Sequence, residues 1–95
     1  MLTDLIKFTV IKDRLTDAIA YMREQVENTR RDEGLISVSV FQSETDPAVL
    51  YMLLQWESEE TAKAHLNKPY DLEFRKKMDL TLASPVEPFV WRQII

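Results

Sequence analysis

Val49–Trp56, Val-Leu-Tyr-Met-Leu-Leu-Gln-Trp, is a short, almost wholly apolar run without Gly or Pro. In a strand, successive side chains point to opposite faces. Val49, Tyr51, Leu53 and Gln55 then share one face, and Leu50, Met52, Leu54 and Trp56 the other. A strand with one wet face alternates apolar and polar residues, and this one does not. Both of its faces therefore need cover. The run is too short to favour a buried helix. Asp46-Pro47 before it and Glu57-Ser58-Glu59-Glu60 after it bracket it as a strand.

Six further segments supply candidates for that cover. Residues 4–11 read as a first strand, with Ile6, Phe8 and Val10 on one face and Leu5, Lys7, Thr9 and Ile11 on the other. Residues 14–30 carry Leu15, Ala18, Ile19, Met22 and Val26 at steps of three and four, the stripe of an amphipathic helix, with Asp13 as its N-cap. Gly34, the only glycine, suits a helix-to-strand turn that needs positive φ. Residues 35–42 alternate, with Ile36, Val38 and Val40 apolar against Leu35, Ser37, Ser39 and Phe41. The turn cluster Ser43-Glu44-Thr45-Asp46-Pro47 joins them to Val49–Trp56 as a hairpin.

Ser58 is placed to cap a second helix, with Glu59 and Glu60 in its first turn and Ala62, His65 and Leu66 on one face. Pro69 breaks or re-aims that helix. A further helical piece over residues 70–82 presents Phe74, Met78 and Leu82. Residues 89–94 read as a last strand, with Phe89, Trp91 and Gln93 opposite Val90, Arg92 and Ile94.

The order β-α-β-β-α-β predicts an α+β, ferredoxin-like fold: a four-stranded antiparallel sheet with the helices on one face, in a single domain over residues 1–95. The other face then keeps large side chains, drawn from Tyr51, Leu53, Phe41, Trp91 and Ile11. Each such group left in water forgoes roughly 1.5–3 kcal/mol. About six of them would match the whole stability of a small domain, roughly 5–15 kcal/mol. The expectation is a homodimer, two sheets packed face to face.

Composition narrows the function. The 95 residues carry a net charge of −4, with acidic and basic residues interleaved, which argues against nucleic acid or an anionic membrane as partner. No cysteine is present, so disulfides and thiolate chemistry are excluded, and a single His excludes a multi-histidine metal site within one chain. No signal-like or membrane-length apolar run occurs, so a cytoplasmic protein is expected. One glycine cannot build a Gly-rich phosphate loop, and no GxSxG or HExxH motif is present.

Glu33-Gly34-Leu35-Ile36-Ser37 after the first helix, Tyr51 in the third strand, Trp56-Glu57-Ser58 at its end and Ala64-His65-Leu66 in the next helix together form a pattern. In it the chain resembles the antibiotic-biosynthesis monooxygenase-like domains of the dimeric α/β barrel superfamily. The resemblance covers nearly the whole chain. It implies a cofactor-independent monooxygenase acting on a small aromatic or quinol-like molecule, with no metal and no cofactor. Alternatives are a non-catalytic dimeric module binding a small ligand or protein, an isomerase, or a haem-degrading enzyme. The haem-degrading branch typically has an Asn in the first strand, where this chain has Lys7, Phe8 and Thr9.

Within that reading His65 is the candidate catalytic base, the one side chain with an ordinary pKa near neutrality. A packed helix histidine is the competing view. Trp56, Tyr51, Trp91, Phe41 and Arg92 are the candidate substrate-binding residues: Trp56 through its indole N–H, Tyr51 through its hydroxyl and Arg92 as an oxyanion partner. Packing of the strand end or of the dimer competes for the aromatic residues, and solvation for Arg92. Asn67, Lys68 and Tyr70 are placed at a rim beside Pro69.

Overall fold

The computed structural model describes residues 1–95. Strand β3, Val49–Trp56, lies inside a four-stranded sheet between β2, Leu35–Gln42, and β1, Leu2–Thr9. Strand β4, Glu87–Arg92, pairs with the far side of β1, giving the order β2-β3-β1-β4, antiparallel throughout. Helices α1, Leu15–Thr29, α2, Glu59–Leu66, and α3, Pro69–Asp79, cover one face. This is the expected α+β, ferredoxin-like arrangement.

The core follows from the alternation in β3. Leu50, Met52, Leu54 and Trp56 are all buried, while Val49, Tyr51, Leu53 and Gln55 are each half-buried. Phe8 of β1 and Val38 of β2 join the buried set, and Ala18 and Met22 of α1, Ala62 of α2, and Phe74 and Met78 of α3 close over it. Residues at i and i+4 lie on one helix face, which is why Ala18 with Met22 and Phe74 with Met78 meet the sheet together.

Several boundaries differ from the sequence-based expectation. β1 begins and ends two residues earlier, at Leu2 and Thr9. Ile11 therefore falls outside the open sheet face. It leads into a 3-10 turn at Lys12–Arg14, with its N–H on the Thr81 carbonyl. Asp13 sits inside that turn and caps nothing, and α1 has no side-chain cap. In β2 a register irregularity between Leu35 and Ser37 puts Leu35 opposite Trp56 and leaves Ile36 half exposed. A bulge inserts one residue and so reverses the parity of what precedes it. α3 stops at Asp79, because Thr81 turns back onto Met78 and Leu82 bridges to Val10. β4 starts at Glu87 and includes Pro88, which an edge strand tolerates.

Other local signals act as expected. Ser58 caps α2, accepting from the Thr61 N–H, and Thr61 Oγ1 reciprocates as a capping box. Pro69 is the first residue of α3, where its missing N–H costs nothing. Gly34 has φ +82°, and a Cβ there would run into the Thr61 side chain. Gly34 thus permits both the turn and the close approach of α2 to β2.

Candidate functional site

Inward-facing side chains on β1 and β3 meet the helices at a cavity of about 480 Å³. Its apolar walls include Ile6, Phe8, Met52, Leu54, Phe74 and Met78. Its polar groups are Asp4 of β1, Gln25 of α1, His65 of α2 and Asp71 of α3, with Arg75, Lys76 and Asp79 on the outer part of α3. The volume is in the range of small-molecule sites, roughly 300–1,000 Å³, and a mostly apolar wall with few polar groups is their usual make-up. A larger open groove of about 750 Å³ runs between α1 and β2. Its titratable groups are Arg23, Glu27 and Arg30, and it contains none of the buried ionisable groups, so the smaller cavity is the better candidate for chemistry.

His65 is the centre of a buried network. Its Nδ1 is 2.9 Å from Asp32 Oδ2 and 2.9 Å from the Tyr70 hydroxyl, and its Nε2 is 3.2 Å from Asp71 Oδ1. Tyr70 donates its proton to Asp32. Gln25 donates to Asp71 Oδ1 at 2.8 Å. Arg75 Nε stands 3.1 Å from Asp71 Oδ2, close enough for charge attraction though not aligned for a hydrogen bond. His65 is 7% exposed and Asp71 4%. The Trp56 ring, 1% exposed, lies against the imidazole with centroids 5.0 Å apart.

The electrostatics follow from these partners. Burial by itself pushes the His65 pKa down, but the hydrogen bonds to Asp71 and Asp32 and their charges together outweigh it, and the net shift is upward from 6.5. With a carboxylate beside each ring nitrogen, the site favours the protonated imidazole, the form that can donate from both. The Tyr70 hydroxyl is raised, by burial and by its bond to Asp32, far from ionising near neutrality. Asp4 is also raised: burial in its apolar surroundings pushes it up, and the charge of His65 opposes this only in part. No set of three His, Asp or Glu side chains is arranged to hold a metal ion.

Of the residues singled out from sequence, His65 alone lines the cavity. Trp56 backs the imidazole from behind. Tyr51, Phe41 and Trp91 lie on the opposite, open face of the sheet, where Tyr51 pairs with Phe41 and Lys7, Trp91 pairs with Thr3, and the row Leu53, Leu5 and Phe89 runs between them. Phe41 and Trp91 are each 51% exposed there. Arg92 ends β4 opposite Leu2, exposed and away from the network. Sequence reasoning missed Asp4, Gln25, Asp32 and Asp71. Asp4 had a signal: it shares the parity of Ile6 and Phe8, a lone carboxylate on an apolar face. Asp71 had one too, three residues before Phe74 on the buried stripe of α3.

A four-stranded antiparallel sheet of this order with its helices on one face defines a ferredoxin-like α+β domain. The antibiotic biosynthesis monooxygenase family model matches residues 1–77, and the chain belongs to that family. No curated protein sequence matches the chain. Among solved structures, a conserved protein from Methanosarcina mazei superposes with TM-score 0.94 at 22% identity, over 97% of this chain and 91% of that one. Rv0793 from Mycobacterium tuberculosis gives 0.94 at 19% identity, over 99% and 95%. A variant of SnoaB, a cofactor-independent oxygenase from Streptomyces nogalater, gives 0.89 at 12% identity, over 99% and 93%. At these identities the likeness is one of fold.

Proposed function

We propose that this chain is a cofactor-independent monooxygenase acting on a small aromatic or quinol-like substrate. The observation that carries the proposal is the cavity: apolar walls that suit fused rings, closed at one end by the buried His65 network. In such a reaction the substrate is its own reductant. A phenol loses its O–H proton and becomes an electron-rich phenolate, which reacts with dioxygen. One oxygen atom enters the product as a quinone carbonyl and the other leaves as water, so a phenol and O2 give a quinone and H2O.

His65 enters this scheme as the polar group at the end of the cavity, turned toward the place where the phenolate develops. The membership of the chain in its family and the naming of SnoaB as a cofactor-independent oxygenase support the reaction class. The open sheet face supports a homodimer: Tyr51, Leu53, Phe41, Phe89 and Trp91 form a continuous apolar surface that a second copy would cover.

Oxygen uptake by the metal-free protein against a panel of quinols and hydroxylated polycyclic phenols tests the reading. Uptake above the autoxidation blank, much reduced in His65→Ala, is the expected result. No uptake across the panel overturns it in favour of a non-catalytic ligand-binding module.

A further inference from the structure

We propose that the carboxylate of Asp4 is the group that takes the substrate's proton. The inference rests on the monooxygenase reading and adds its base. A base must be near the substrate, free to accept, and able to give the proton up again. Three carboxylates come near the polar end of the cavity, and two of them are occupied. Asp32 is held by His65 and Tyr70. Asp71 has Gln25 and His65 on Oδ1, and its Oδ2, without a hydrogen bond, faces the Arg75 guanidinium at 3.1 Å. His65 has a carboxylate against each ring nitrogen, so neither nitrogen is open to the substrate. Asp79, the remaining acid along the wall, is exposed on the outside of α3.

Asp4 differs from all of these. It projects from the covered face of β1 between Leu2 and Ile6, with Leu54 of β3 and Val90 of β4 beside it. It lines the cavity and takes no hydrogen bond from the protein. The charged groups that face the same space are His65 on α2 and Asp71, Arg75, Lys76 and Asp79 on α3. Asp4 is half-buried, so one side of its carboxylate meets the apolar wall while the other is open to an incoming ligand. Its raised pKa brings it closer to the working range of a general base. In the step itself the acidic bond of the substrate breaks, O–H in a phenol or C10–H in an anthrone, and an O–H bond forms on Asp4 Oδ. The electron pair stays on the substrate as its phenolate or enolate, on the side of the cavity that His65 closes.

The test is anaerobic binding of 1,8-dihydroxy-9-anthrone, whose anion absorbs in the visible, followed by oxygen uptake. Wild type should bind the probe as its anion, with the 13C signal of the Asp4 carboxyl moving to its protonated position in the same sample. Asp4→Asn should bind the probe within about threefold of wild type and lose the anion band, with kcat down by about 10²–10⁴ and KM little changed. Asp4→Glu should recover part of the band. An undiminished anion band in Asp4→Asn overturns the inference, as does an Asp4 signal that stays ionised with probe bound. Loss of probe binding itself in Asp4→Asn assigns the residue to binding and also overturns it. An anion band in wild type without oxygen uptake sinks the monooxygenase reading and leaves Asp4 as the base. Absence of both removes the two together.

Discussion

The two faces of β3 carry almost the same apolar content, yet one is sealed and the other open. Leu50, Met52, Leu54 and Trp56 lie under three helices, whereas Val49, Tyr51, Leu53 and Gln55 are half-buried. The sealed side needs only its own chain. The open side gains its apolar neighbours, Leu5, Phe41, Phe89 and Trp91, from within the sheet and nothing from above. The difference separates what stabilises the folded chain by itself from the face that the proposed homodimer would cover. The buried ionisable network sits on the sealed side, and the open side has only exposed pairs, Lys7 with Glu87 and Ser37 with Gln55.

Substitutions on the two faces should therefore behave differently. Trp56→Ala should have the largest effect, about 3–5 kcal/mol by denaturant unfolding, at any protein concentration. It removes a fully buried ring and the support behind His65. His65→Ala should cost somewhat less, about 3 kcal/mol, because Asp71 keeps Gln25 and Arg75 while Asp32 keeps Tyr70.

That loss should also depend on pH. The His65 pKa is raised on folding, so its contribution is complete below the unfolded value of about 6.5 and is lost as pH rises through the folded one. Urea midpoints taken across this window should decline for wild type and stay level for His65→Gln. On the open face Leu53→Ala should cost about 2 kcal/mol, and only as a concentration-dependent Tm together with a shift toward monomer in light scattering. An effect within about 0.5 kcal/mol with no change in mass would mean that the face is bare. The smallest effect has the opposite sign: Asp4→Leu should stabilise by about 1 kcal/mol in the same urea titration, since an unpartnered carboxylate is replaced by a side chain that suits the wall.

The fold was legible because its signals are local. The alternation in β3, the i,i+4 stripes of α1 and α3, the Ser58 cap and Gly34 each act within a few residues. The β2 irregularity was not legible: Leu35 and Ile36 are both apolar, so nothing in their order marks the reversal of parity. The polar cluster was less legible still. Asp32 and His65 are 33 residues apart and Gln25 and Asp71 are 46, and each looks alone like a solvated residue or a turn former. Asp32 in particular reads as part of the Asp32-Glu33-Gly34 turn. Only the packing of three helices onto one sheet face brings these groups into contact. Asp4 was the readable exception, since β-strand parity alone places it inward.

The bridge Asp32–His65–Asp71 also bears on how the molecule opens. α2 has eight residues, too few to remain helical alone in water. Beyond its capping box, the core packing of Ala62 and the Arg75 bond to the Leu66 carbonyl, it is held by His65 reaching back to the turn after α1 and forward to the first turn of α3. Its amide hydrogens should therefore exchange with solvent when that bridge parts, and the neighbouring ends of α1 and α3 should lose their protection in the same event. One imidazole makes a single cooperative unit of three helices that are separate in sequence.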